Sequence, residues 1–118
     1  MRIGALVGDL LLFSRIASAA EAAGAEVIRV DAPEDLPAEL DLVLVDWSSR
    51  RPSWTAALAG RRRGRVILFG PHTDLEAHAA ARAAGLGPMW ARSRLLTALP
   101  DMLAEDVTAP HRTSPEIS

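Results

Sequence analysis

The sequence predicts one α/β domain in three layers, a five-stranded parallel sheet lying between helices. Three observations carry this prediction. Short apolar runs alternate with helix-length segments along most of the 118 residues. One run, Leu42-Val43-Leu44-Val45, is apolar without alternation and closes on Asp46, as in a strand covered on both faces. The length suits one hydrophobic core and is too short for two.

The first strand spans about Arg2 to Val7. A helix follows from about Leu11 to Ala23, with Phe13, Ile16, Ala20 and Ala23 at helical spacing and Gly24 as its stop. Glu26 to Val30 reads as the second strand and Leu42 to Asp46 as the third. Only ten residues, including Pro33 and Pro37, separate Val30 from Asp41. A parallel crossover with a full helix needs about a dozen or more, so the second helix is expected to be shortened or missing. Pro52 suits the first turn of a helix carrying Trp54 to Arg62. Arg65 to Phe69 is the fourth strand. Thr73-Asp74-Leu75-Glu76 matches a capping box, in which Thr73 and Glu76 satisfy each other's free backbone donors, and it opens a helix ending near Gly85. Pro88 to Ala91 is a short fifth strand. Ser93 is the expected cap of a last helix carrying Leu95, Leu96, Leu99, Met102 and Leu103, and Pro100 should kink or split it. The domain is expected to cover 1–105, and Pro110, Pro115, Ser and Thr mark 106–118 as a flexible tail.

Composition narrows the function. A formal charge of −2 gives no electrostatic case for nucleic acid or an anionic membrane. The Arg61–Arg65 run falls at an expected helix end, where cations complement the helix dipole. The absence of cysteine excludes disulfides, thiol nucleophiles and thiolate metal sites. No segment has the length of a membrane span, and the N-terminus lacks the apolar length of a signal peptide, so a cytoplasmic location is expected. All thirteen basic residues are Arg; there is no Lys.

In open α/β sheets, ligands bind outside the carboxyl ends of the strands. Asp46 sits there. It reads as a reacting carboxylate, as a structural acid accepting backbone N–H bonds, or as the salt-bridge partner of Arg92. Asp9 reads as a lone metal ligand or, twice as often for an Asp before a helix, as an N-cap. Gly8-Asp9-Leu10-Leu11-Leu12 lacks the Gly and hydroxyl content of a phosphate-cradling loop, which argues against a flavin or nucleotide site. His72 follows the fourth strand and reads as a general base, a phosphoacceptor or a pH-sensitive group, against the commoner solvated or structural histidine. His78 and His111 complete no metal set. Trp47 and Trp54, beside Arg50 and Arg51, fit core and protein interface equally. Trp90 fits the core better.

The order of elements, Asp41-Leu42-Val43-Leu44-Val45-Asp46, the run Arg65 to His72, and Ala83-Ala84-Gly85 before the fifth strand resemble the receiver domain of bacterial response regulators. The resemblance covers nearly all of 1–105 and implies the strand order 2-1-3-4-5. It also implies a phosphoryl-accepting aspartate at Asp46, a Mg²⁺ ion held by that aspartate and an acidic pair after strand one, a Thr or Ser ending strand four, and a Lys ending strand five. Here the acidic pair is reduced to Asp9, the hydroxyl position is Gly70, and the Lys position is Arg92, or Arg94 if the register shifts. Arg keeps the charge, but its planar fork does not replace a compact ammonium. Phosphoryl transfer depends on positioning and electrostatics. These departures imply a stand-alone, non-enzymatic pseudo-receiver acting through protein contacts without efficient phosphotransfer. By resemblance, the face of its last two helices would support a homodimer. An atypical phospho-accepting receiver using Asp46, Asp9, Arg92 and Mg²⁺ is the second reading. A small-ligand binder or enzyme using Asp46 and His72 is the third. No cofactor is expected outside the second reading.

Overall fold

The computed structural model describes residues 1–61 and 64–113, with side chains to Ala104. Arg62, Arg63, the side chain of His111 and residues 114–118 lie outside the described residues. The elements run β1 (Arg2–Leu6), α1 (Leu10–Ala22), β2 (Glu26–Arg29), β3 (Leu42–Asp46), α2 (Pro52–Ala59), β4 (Arg65–Gly70), α3 (Leu75–Ala83), β5 (Trp90–Ala91) and α4 (Arg92–Thr113). The five strands form one parallel sheet in the order β2-β1-β3-β4-β5. The expected α/β class and strand order are both present.

β3 is the centre of the sheet, paired with β1 on one side and β4 on the other, and all five of its residues are buried. Its side chains divide by strand alternation. Leu42 and Leu44 join Ile3, Ala5, Ile16, Phe69, Leu95, Leu99 and Leu103 on the side covered by α1 and α4. Val43 and Val45 join Trp47, Trp54, Leu58, Leu68, Ala77 and Ala81 on the side covered by α2 and α3. A strand that must be apolar in both directions explains the unbroken run in the sequence.

The short crossover between β2 and β3 contains only a 3-10 turn, Pro33–Asp35, as its length and prolines require. A loop cannot cover a sheet with a helical stripe, so Leu36 and Leu40 do this individually. They lie over β1 at Gly4, where a Cβ would stand 2.6 Å from a terminal carbon of each. Arg61 fastens the loop from outside by donating to the carbonyls of Pro37 (2.8 Å) and Ala38 (3.4 Å). Its role is therefore loop attachment and not helix-dipole compensation, because α2 ends at Ala59. Gly64 approaches the same loop at φ +84°, and a Cβ there would strike the Leu40 carbonyl oxygen.

Three local expectations change. Asp74, not Thr73, caps α3: its Oδ1 accepts from Ala77 N at 3.0 Å. The Pro71–Asp74 turn delays the helix by one residue, so no Thr73–Glu76 capping box forms. Ser93 lies inside α4, because β5 passes directly into the helix with no loop between them. α4 is also one helix through Pro100. Leu95, Leu99 and Leu103 are all fully buried at i, i+4 spacing and hold both halves against the sheet, while Pro100 faces solvent, where water can serve the carbonyl it leaves free. The helical backbone continues into the beginning of the 106–118 segment.

Gly64→Ala should destabilise the domain by about 2 kcal/mol or more, combining left-handed strain with the Leu40 carbonyl clash. Leu99→Ala should cost about 2–5 kcal/mol by cavity formation in the α1–α4 layer. Urea unfolding followed by circular dichroism measures both.

Candidate functional site at the carboxyl edge of the sheet

Four chain segments reach one edge of the sheet. Asp9 follows β1, Asp46 ends β3, Gly70 ends β4 and Arg92 follows β5. Asp46 comes two residues after Leu44 and so points toward the α1–α4 side. Its side chain is only 6% exposed. A buried carboxylate needs partners, and each oxygen has one. Oδ1 accepts from Ser48 N at 3.2 Å and from Ser48 Oγ at 2.5 Å. Oδ2 faces Arg92 Nη2 at 3.7 Å. Asp46 thereby caps the 3-10 turn Trp47–Ser49.

Asp9 is the N-cap of α1. Its Oδ1 accepts from Leu11 N (3.0 Å) and Leu12 N (3.2 Å), leaving two of the helix's free donors satisfied. Its Oδ2 lies 3.5 Å from Arg92 Nη1. One guanidinium thus bridges both acids, Nη1 to Asp9 and Nη2 to Asp46. The Asp9 end is weakly held because both side chains there are about two-fifths exposed, 43% and 42%. The Asp46 end matters more, since an unpaired buried carboxylate is costly. Arg92, not Arg94, is the cation at this site. Arg94 stacks over the Trp90 ring at 4.3 Å, with Arg65 at 5.8 Å from the same ring.

Gly70 is closely packed against Met89. A Cβ there would meet Met89 Sδ at 3.0 Å and lie 3.7 Å from Ser48 N. Ser48 and Met89 are the site residues that sequence reasoning missed. Ser48 was recoverable, because a Ser two residues after an Asp is a frequent local turn partner. Met89 carries no such signal.

The two tryptophans expected in either core or interface are core. Trp47 is fully buried and its Nε1 donates to the Ala77 carbonyl at 3.0 Å; Trp54 is buried in α2. Their rings face the α2–α3 layer, so neither is available to a partner. Arg50 lies over the Trp47 ring at 5.6 Å, donates to its carbonyl at 3.1 Å and lies 3.9 Å from Glu76. Arg51 is exposed. Trp90 is half-buried against the α1–α4 core.

His72 is exposed, and its carbonyl lies 3.1 Å from His78 Nε2. With Gly70, Pro71, Ala91, Arg92 and Ser93 it lines an open depression of about 390 Å³. Asp46 is not part of that lining. The structure therefore does not bring Asp46 and His72 into one cavity as an acid–base pair. Among the described residues, no group of three or more His, Asp or Glu is arranged to hold a metal. The acids do not fit a Mg²⁺ ion: one Asp9 oxygen is spent on the α1 cap, and a guanidinium stands between the other and Asp46.

No protein-family model matches the sequence, and no curated protein does. Solved structures do. The receiver domain of a Francisella response regulator superposes with a TM-score of 0.60 at 13% identity, covering 90% of this chain and 98% of that one. A response regulator receiver domain protein from Clostridium thermocellum gives 0.58 at 16% identity, covering 92% and 98%. A structure described as the yeast Spc42 trimeric coiled coil fused to another structure gives 0.65 at 15% identity, covering 98% and 86%. The chain has a receiver-like, flavodoxin-like α/β fold. At these identities the likeness concerns the fold. No helix among the described residues is long and apolar enough to cross a membrane.

Trp47→Phe should lower stability by about 1–3 kcal/mol, because it removes the Nε1 hydrogen bond to Ala77 and part of a fully buried ring. Chemical denaturation monitored at the remaining tryptophans would measure it.

Proposed function

We propose that this chain is a receiver-like regulatory module of bacterial, cytoplasmic signalling that acts through protein contacts and does not transfer phosphoryl groups efficiently at Asp46. The observation that carries this reading is the commitment of both Asp46 oxygens. An attacking carboxylate needs a free oxygen and an approach path. Here the side chain is 94% covered, Oδ1 holds Ser48 and Oδ2 faces Arg92. The altered partners argue the same way: Gly70 brings no hydroxyl, and Asp9 is occupied as a helix cap.

The surface left for partners comprises the loops after β3, β4 and β5 and the outward face of α3 and α4. Leu75, 77% exposed in the first turn of α3, supports contact there. A homodimer through α3 and α4 is part of the proposal. It rests on this exposed leucine and on the fold's likeness to receiver domains.

Beryllofluoride with Mg²⁺, a mimic of the acyl phosphate, tests the central point. The expected ¹H–¹⁵N spectrum is unchanged around β3, β4 and β5. Shifts there that vanish in Asp46→Asn would establish the phospho-accepting reading instead. Sedimentation equilibrium over rising concentration tests the dimer. Leu75→Asp should weaken self-association and, at concentrations where the wild type is monomeric, leave the melting temperature unchanged, because the side chain packs against little in the single chain.

A further inference from the structure

The geometry points to Arg92 as a resident cation: its guanidinium takes the position between Asp9 and Asp46 that the receiver likeness would give a divalent ion, and so makes the conformation of this edge independent of Mg²⁺. The inference deepens the proposed function and rests on its reading of Asp46 as a carboxylate paired within the chain.

The contacts define the position. Asp9 Oδ2 and Asp46 Oδ2 converge on the two terminal nitrogens of one guanidinium, at 3.5 and 3.7 Å. The remaining oxygens point elsewhere, Asp9 Oδ1 to the α1 N-terminus and Asp46 Oδ1 to Ser48. Two acids from different strands thus share a single counter-charge. Mg²⁺ binds oxygen at about 2.0–2.1 Å in near-octahedral geometry. A guanidinium within 4 Å of both oxygens is repulsive to such an ion and stands in its way. The Arg92 backbone is fixed by the fold. It is the first residue of α4, entered directly from β5, and the helix is anchored by buried Leu95, Leu99 and Leu103. The cation therefore comes with the chain, whereas an ion would arrive from solution. Removing it leaves Asp46 buried and Asp9 aimed at the same point, two like charges with nothing between them.

The test uses the full chain and thermal melting, with and without millimolar MgCl₂. The wild type should melt at the same temperature in both. Arg92→Ala should melt lower without Mg²⁺ and recover part of the loss with it, because the ion then binds the folded state alone. The recovery should disappear in Arg92→Ala combined with Asp9→Asn. Arg92→Gln, which keeps length and polarity, should behave as Arg92→Ala does if the latter melts without a cooperative transition. A wild type that gains as much from Mg²⁺ as the variants overturns the inference, as do variants that gain nothing. Mn²⁺ broadening of amides near Asp9 and Asp46 in the wild type at submillimolar concentration overturns it without any variant. Acetyl phosphate labelling separates the two proposals. A wild type that becomes phosphorylated on Asp46 while its melting ignores Mg²⁺ would remove the proposed function and leave the resident cation.

Discussion

A charge buried at the end of the central strand is the constraint on which this edge of the molecule depends. β3 is covered on both faces, and Asp46 ends it with its side chain almost wholly enclosed. Leaving such a carboxylate unpaired would cost several kcal/mol, a large part of the net stability of a domain this size. Ser48 and Arg92 supply the partners. Ser48 is local, delivered by the 3-10 turn that Asp46 itself caps. Arg92 is remote in sequence and is delivered by β5 and α4. The edge is therefore closed by pairing a local turn with a long-range cation.

The same pairing links the two faces of the sheet. Asp46 points toward the α1–α4 layer, and the next residue, Trp47, enters the α2–α3 layer and bonds to the first turns of α3. Arg50 covers that ring and reaches toward Glu76. A change at Asp46 would have to be accommodated by both layers. In a phospho-accepting domain such coupling could transmit a signal. Here Asp46 finds its partners within the chain, in Ser48 and Arg92, in keeping with the function proposed above. Gly70 agrees with this, since Met89 fills the space beside it.

Much of the fold was legible because it depends on local patterns. The unbroken Leu42–Val45 run required burial on both faces, and ten residues with two prolines allowed no full second helix. Pro52 at a helix start and Asp9 as a cap are also local chemistry, and both appear as expected. Local patterns misled where tertiary packing intervened. Thr73–Glu76 has capping-box spacing, but the preceding turn gives the cap to Asp74. Pro100 carries a strong helix-breaking signal, yet three buried leucines carry α4 through it. Trp47 and Trp54 could not be assigned from their neighbours, because burial depends on which side of the sheet the turn after β3 sends them.

By itself, the sequence determined the α/β class, the covered central strand, the address of Asp46, the lack of Lys, the single acid Asp9 after strand one and the absence of a hydroxyl at Gly70. Those features follow from residue type and spacing along the chain. Only the tertiary structure decided that Asp46 is enclosed, that Arg92 and not Arg94 reaches it, that the same guanidinium also holds Asp9, and that His72 shares a depression with Arg92 whose lining does not include Asp46. The physical reason is distance in sequence. Asp9, Asp46 and Arg92 belong to three separate strand ends, and their meeting depends on strand order, register and the direct passage of β5 into α4.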